Sequence, residues 1–352
     1  MKRLITSGCS FTSHPRVNLQ RGEKDFLNDD ERFWYYPHWI QTLIPSIEVY
    51  NMGNPGNSNL TIARSAIYKA KQLLNEGING KDISMIIQWS NFHRKAYFIS
   101  NEIKNKIPIN RLEDYANDFI NEKEYPGEKG YWLTISNPDM DKSSLVELNP
   151  KIYKFNQNYL ETLYNDEERF IEWLDYFDYV ITFCKLNGIQ LKTFFMHNPF
   201  SPEYHFGMLP SDYKTGEDII KGLFIDKKIH NNWSEPDDIA INNFPWAEHL
   251  YKQIDWKKYC WFFEEEGLHK NGGVLEWTLR NQITSTDDNF NPLYMEYYQF
   301  KTQSEVKKRI LNGECSCWGH IGHTNYKKFT EEIILKWDMF KSYNVNNDRN
   351  FI

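Results

Sequence analysis

The chain lacks any long apolar run. Nowhere does it approach the roughly 18 consecutive apolar residues that would cross a bilayer. Its opening, "MKRLITSGCS", offers only Leu4 and Ile5 after Lys2 and Arg3 before Thr6, Ser7 and Gly8 intervene. A signal peptide needs an apolar stretch of about 7–15 residues there, and a lipoprotein-type cleavage ahead of Cys9 fails on the same shortage. The expectation is a soluble, cytoplasmic protein with no signal peptide, no transmembrane segment and no membrane partner. Cysteine is scarce: five residues, an odd number and widely scattered, which argues against a disulfide framework and for a reducing compartment. A basic surplus is missing as well. The net charge is −7, so nucleic acid is not an expected partner. Internal repeats and low-complexity tracts are absent.

What the chain has in excess is ring surface, with 16% aromatic residues and 12 Trp. That content builds an aromatic-rich core or lines a groove for a sugar or another flat ligand, and composition does not choose between them. At 352 residues the chain can bury a full core.

Four short β-like runs alternate with helical patterns, the signature of a parallel sheet with crossover helices. They are "RLITSG" at the start, "IEVYNMG" at 47–53, "ISMIIQWS" at 83–90 and "IQLKTFFMH" at 189–197. Between the second and third, Ile62, Ala66, Ile67, Ala70, Leu73 and Leu74 form one helical stripe. Before the fourth, Phe170, Leu174, Phe177, Ile181 and Cys184 repeat at helical spacing, and Asn187-Gly188 is a helix stop. Near the end, Tyr326, Phe329, Ile333, Trp337 and Phe340 form another stripe over 325–340. These stripes are core and carry no chemistry. Residues 13–33 are polar and loop-like, 95–165 carry turn clusters, and 198–315 are rich in Pro, Asn and Trp with helices expected near 245–265. The pattern predicts a single α/β domain over 1–352. The insertions at about 95–165 and 198–315 would form a cap or lid over a site at the carboxyl ends of the strands, where open α/β sheets bind ligands.

The chemistry-bearing residues fall at those ends. Ser10 follows the first strand, after Gly8 and Cys9, where a hydroxyl is presented at the sheet edge. The second strand ends in "NMGNPGNSN", in which Gly53, Pro55 and Gly56 force a tight turn and Asn57 or Ser58 caps the next helix. A backbone N–H there suits a developing oxyanion, though the same residues also make an ordinary strand-to-helix turn. The third strand ends in "QWSNFHR", where Asn91 offers a side-chain amide to that oxyanion or caps a turn. Arg94, one step further out, is either a contact for an anionic substrate group or a solvated loop charge. In "CSCWGHIGHTNYKKF", residues 315–329, His320 stands just ahead of the last helix. An imidazole of near-neutral pKa can take a serine proton and return it to a leaving alcohol, and a serine without such a base is a poor nucleophile. The same segment holds Cys315, Cys317, His320 and His323, four soft ligands within nine residues. They define an alternative zinc site of unusually short spacing.

Taken in order, "SGCSFT", "NPGNSN", "QWSNF" and "GHIGHTNYKKF" resemble the serine, glycine, asparagine and histidine blocks of the SGNH (GDSL-type) hydrolase family. The parts bearing the motifs cover roughly half the chain. The resemblance implies a flavodoxin-like three-layer α/β fold, a parallel sheet flanked by helices, with long insertions in this chain. It implies a serine esterase that needs no cofactor. Ser10 is the nucleophile and His320 the general base, with the Ser10 N–H, the Gly56 N–H and the Asn91 side chain as oxyanion hole. His320 is preferred to His323 because Asn325-Tyr326 stand five and six positions after it, where the family places a small or aromatic pair before an amphipathic helix. The implied substrate is a short acyl ester, and the aromatic insertions point toward O-acetyl groups on a carbohydrate.

The chain departs from the family twice. Cys9 stands where the first block usually has Asp, and Cys317 stands where an Asp three residues before the histidine usually holds its tautomer. No carboxylate lies between Glu314 and His320. Either a backbone carbonyl or Glu314 orients the ring, or activity is weak. A fold of this kind that has lost its chemistry would serve as a glycan-binding or structural module, since fold does not fix function.

Overall fold

A computed structural model describes residues 2–9, 12, 35–53, 57–90, 92, 94–100, 130–135, 165–195, 245–261 and 323–341, with isolated positions at 154, 158, 159, 162, 163, 273, 274, 277 and 343. Five strands form a parallel sheet: β1 (Lys2–Ser7), β2 (Ile47–Asn51), β3 (Ile83–Trp89), β6 (Gln190–Phe195) and β7 (Cys260–Trp261), in the spatial order β2-β1-β3-β6-β7. Every pairing in it is parallel, with Thr6 opposite Asn51 on one side and Ser7 opposite Ile87 on the other. The order reverses direction between β1 and β3, so the crevice of a doubly wound sheet opens there, at the carboxyl ends. The four expected strands fall where the apolar runs placed them. All five residues of β2 and all seven of β3 are buried, as befits strands covered on both faces.

Two helices cover one face. α2 (Asn59–Asn75) starts at Ser58, whose Oγ accepts from the Thr61 N–H at 3.3 Å, one of the donors a helix start leaves unpaired. α3 (Asp166–Asn187) starts at Asn165, which accepts from the N–H groups of Glu167 and Glu168. It ends at Gly188, whose φ of 71° is the left-handed conformation that glycine adopts without Cβ strain. Ser7 donates to the Ile62 carbonyl at 2.9 Å, and Trp89 and Phe195 pack on Phe177 and Trp173 with ring centroids 5.3 and 5.4 Å apart. On the opposite face Phe194 meets Tyr36 of α1 (Tyr36–Leu43) at 5.3 Å and Phe329 of α6 (His323–Glu332) at 5.5 Å. Burying one such ring contributes about 1.5–3 kcal/mol, and the rings of the described residues pack in both helix–sheet layers.

Three features depart from the sequence pattern. The stripe at 325–340 is not one helix: α6 ends at Glu332, and two short 3₁₀ turns follow at Ile334–Lys336 and Asp338–Phe340. Residues 95–100 and 130–135 pair as an antiparallel ribbon, β4 (Lys95–Ser100) with β5 (Gly130–Ile135). Within the second long segment, α4 (Glu248–Gln253) and α5 (Trp256–Tyr259) match the expected helices, but the chain then adds β7 to the sheet edge. Trp256 packs on Trp173 and Phe177, so this part of the segment contributes to the core. Among the described residues no helix is long and apolar enough to cross a membrane.

Cys9, Cys184 and Cys260 are free and buried. Burial pushes the Cys184 and Cys260 thiols up to about 12, which leaves on the order of one thiolate in ten thousand at pH 8. Both thiols are therefore neutral in the folded and the unfolded chain below about pH 7.5. Stability falls above it, where the unfolded thiols ionise and the buried ones do not. Brief alkylation of the native chain at pH 8 should leave the Cys184 and Cys260 peptides unmodified by mass, with full modification after denaturation; modification of either at the rate of a free thiol would contradict this burial.

Candidate active site

The carboxyl ends of β1, β2 and β3 converge on a network of neutral polar side chains. Its centre is Gln88, fully buried on the face that also carries Phe194, its register partner on β6. A glutamine in the middle of an apolar strand costs free energy unless each polar atom is paired. Here the Oε1 accepts from the Cys9 N–H at 3.1 Å, the Cys9 Sγ at 3.2 Å and the Thr12 Oγ1 at 3.4 Å, and the Nε2 donates to the Trp89 carbonyl. Gln88 thus fixes the chain on entry to and exit from the segment that contains Ser10. The Thr12 N–H also returns to the Cys9 carbonyl at 2.8 Å.

Asn51 does the same work from β2. Its Nδ2 donates to the Thr12 carbonyl at 3.1 Å, and its Oδ1 accepts from the Gly53 N–H at 3.0 Å and the Thr6 hydroxyl at 3.2 Å. Thr12, with no exposed surface, reaches the Tyr36 hydroxyl at 3.3 Å. Two glycines make room for it. A Cβ on Gly8 would stand 2.0 Å from the Thr12 Oγ1, and one on Gly53 would stand 2.6 Å from its Cγ2.

The second turn is tied to the first and third. Asn57, next after Gly56, is no cap: its Nδ2 donates to the Gly8 carbonyl at 3.2 Å, and Ser58 is the cap. Asn59 and Ser90 exchange two bonds, Asn59 Nδ2 to the Ser90 carbonyl at 3.1 Å and the Ser90 N–H to Asn59 Oδ1 at 2.9 Å. Phe92, on the other side of Asn91, packs edge-on against Phe170 at 5.5 Å. Arg94 is half-buried rather than solvated, and its Nη1 donates to the Asn57 carbonyl at 3.3 Å.

From the far end of the sequence comes α6. Its Tyr326 is fully buried and stacks on Tyr35, centroids 4.4 Å apart. Burial, then the charges of Tyr35, Cys9 and Tyr36, hold the Tyr326 phenol well above its usual range. Burial likewise raises the Tyr36 phenol, with the Thr12 hydrogen bond working against it and the Cys9 charge adding to it. Burial thus disfavours the ionised form of both phenols. A residue 317 positions along the chain from Cys9 therefore lies within electrostatic reach of it.

Of the residues singled out in the sequence, Ser10, Gly56, Asn91, His320, Cys315 and Cys317 lie outside the described residues. His323 opens α6, with its side chain outside that set. Among the described residues no cluster of His, Cys, Asp and Glu suits a metal ion. Gln88, Asn51, Asn57 and Asn59 tie the strand ends together, and periodicity passes over them. Their signal is a polar side chain inside or directly abutting an apolar run, which demands a buried partner. Comparison with protein-family models, with curated proteins and with solved structures finds no match to this chain.

Proposed function

We propose that the chain is a serine ester hydrolase of the SGNH type, acting on a short acyl ester such as an O-acetyl group on a carbohydrate. Ser10 attacks the ester carbonyl while His320 takes its proton. The Ser10 and Gly56 N–H groups and the Asn91 amide hold the tetrahedral oxyanion. His320 returns the proton to the departing alcohol, and water, activated by the same imidazole, releases the acyl group.

The observation that carries this reading is the convergence of four distant segments on one end of the sheet. Cys9 precedes Ser10 directly. Asn57 follows Gly56 and is bonded to Gly8. Ser90 precedes Asn91 and is clamped to Asn59. Tyr326, six residues after His320, stacks on Tyr35 and lies within electrostatic reach of Cys9. The turns that carry Ser10, Gly56 and Asn91 are thus tied to one another through their described neighbours, which supports the preorganisation that acyl transfer requires.

A fluorophosphonate, which phosphorylates activated serines, should add once per chain, with the adduct on the Ser10 peptide. The same treatment should stop hydrolysis of 4-nitrophenyl acetate in proportion to labelling. An unlabelled Ser10 in a chain that still hydrolyses the ester would reject this assignment.

A further inference from the structure

We infer that Arg94 is the recognition point for a singly charged oxyanion, a carboxylate or sulfate, carried by the substrate; this rests on the hydrolase reading for its catalytic consequence but not for its binding. The guanidinium is half-buried, and one of its donors is spent on the Asn57 carbonyl at 3.3 Å. That carbonyl lies one residue before the cap of α2, so the charge sits at the positive end of a 17-residue helix whose first turn holds no acidic residue. A cation there is on the wrong side of the helix dipole, which favours anions at this end by about 0.3–1 kcal/mol. Removing part of its hydration adds a further cost.

Nearby cations are neutralised. Lys95 pairs with Glu168 at 3.6 Å, and Arg169 with Glu168 at 2.7 Å and with Glu172. Among the described residues Arg94 has no carboxylate within ion-pair distance. The same helix start holds a second uncompensated group. Ser90, clamped to Asn59, is 3% exposed, and its Oγ has no hydrogen-bond partner among the described residues. A bound oxyanion compensates the Arg94 charge at this helix end. It accepts the free guanidinium N–H groups, whose planar fork matches a carboxylate, and it restores the sign the helix end prefers. One unpaired positive charge matches one negative charge, which favours a carboxylate or sulfate monoanion over a doubly charged phosphate. Arg94 reaches the candidate centre through Asn57, whose side chain holds Gly8. On the hydrolase reading, the anion and the ester are carried by the same substrate.

The test compares 4-acetoxybenzoate with 4-acetoxybenzamide, two acetyl esters of one shape that differ in charge, each corrected for spontaneous hydrolysis. The unmodified chain should favour the anionic ester in kcat/KM by about tenfold or more, the range of a charge-assisted hydrogen bond. Arg94→Gln, which keeps a donor for the Asn57 carbonyl, should bring the ratio near one, and Arg94→Lys should keep part of it. A ratio equal in the unmodified chain and Arg94→Gln overturns the anion site, while turnover of both esters leaves the hydrolase reading intact. A chain that hydrolyses neither ester overturns the hydrolase reading instead, and calorimetry then decides on the site. Binding of 4-hydroxybenzoate tighter than 4-hydroxybenzamide by about tenfold in the unmodified chain only sustains it, and equal binding rejects it. Salt gives a readout independent of any variant: the preference should shrink as KCl rises to about 0.5 M, and a constant preference would count against Arg94.

Discussion

Ser10→Ala and His320→Ala are each expected to lower kcat for an aryl acetate by about 10²–10⁴-fold, and the double variant by no more than the larger single loss. The size follows from the roles. General-base catalysis is worth about 10²–10⁴, and a nucleophile and its base act as a unit, so their losses do not add. The chain carries Cys317 where a family member carries the orienting Asp. On the hydrolase proposal the starting rate is therefore expected to be low, and the loss to fall short of that seen when a complete triad is broken. His323→Ala is the discriminating control. Tyr326 is buried against Tyr35, and His323 opens the helix that carries it. His323→Ala should keep kcat within about threefold if the base stands upstream of α6. Steady-state rates on 4-nitrophenyl acetate separate the cases. Full activity in His320→Ala removes the base from this account, and a loss confined to His323→Ala reassigns it.

How far the sequence could be read depends on what kind of physics placed each residue. The four long strands and α2 and α3 are driven by burial of apolar side chains, and burial leaves a period of two or 3.6 in the sequence. Ile62, Ala66 and Ala70 in α2, and Phe170, Phe177 and Ile181 in α3, are buried as their spacing demands. β7 escaped because two residues are too few to show a period, and Thr193 Oγ1 donating to the Tyr259 carbonyl is what brings that edge in. α6 breaks after Glu332 although Trp337 and Phe340 stay buried. A stripe records which side chains are covered, and consecutive short turns cover them as well as one helix does. The polar network was invisible for a different reason. Gln88 is tied to Cys9 and Thr12 across more than 70 positions, and a single hydrogen bond at that separation leaves no repeat. Ser10, Gly56, Asn91 and His320 were singled out through local motifs, by resemblance rather than by period, and lie outside the described residues.

Gly8→Ala should destabilise the fold by about 2–4 kcal/mol, out of proportion to one added methyl. An exposed Gly-to-Ala change in extended backbone is close to neutral or stabilising, so the expected sign comes entirely from the surroundings. The new Cβ would stand 2.0 Å from the Thr12 Oγ1 and 2.8 Å from the Gln88 Oε1. Thr12 cannot simply step aside, because the space beyond it is closed by the backbone of Gly53, whose own Cβ position lies 2.6 Å from the Thr12 Cγ2. Overpacking of this kind costs about 1–3 kcal/mol. Moving Thr12 also strains its bonds to Tyr36, Gln88 and Asn51, each worth about 0.5–1.5 kcal/mol net. The mechanism makes a second, sharper claim. Thr12→Ala removes the obstructing Oγ1, so Gly8→Ala in that background should cost at least about 1 kcal/mol less than in the native one, a coupling expected only of residues in contact. Urea unfolding of the four proteins measures both numbers. A Gly8→Ala cost below about 0.5 kcal/mol, or additive costs in the double variant, would mean that Thr12 is not wedged between the two glycines. The anchoring of Cys9 and Thr12, and with it the support it lends to the hydrolase proposal, would then have to be abandoned.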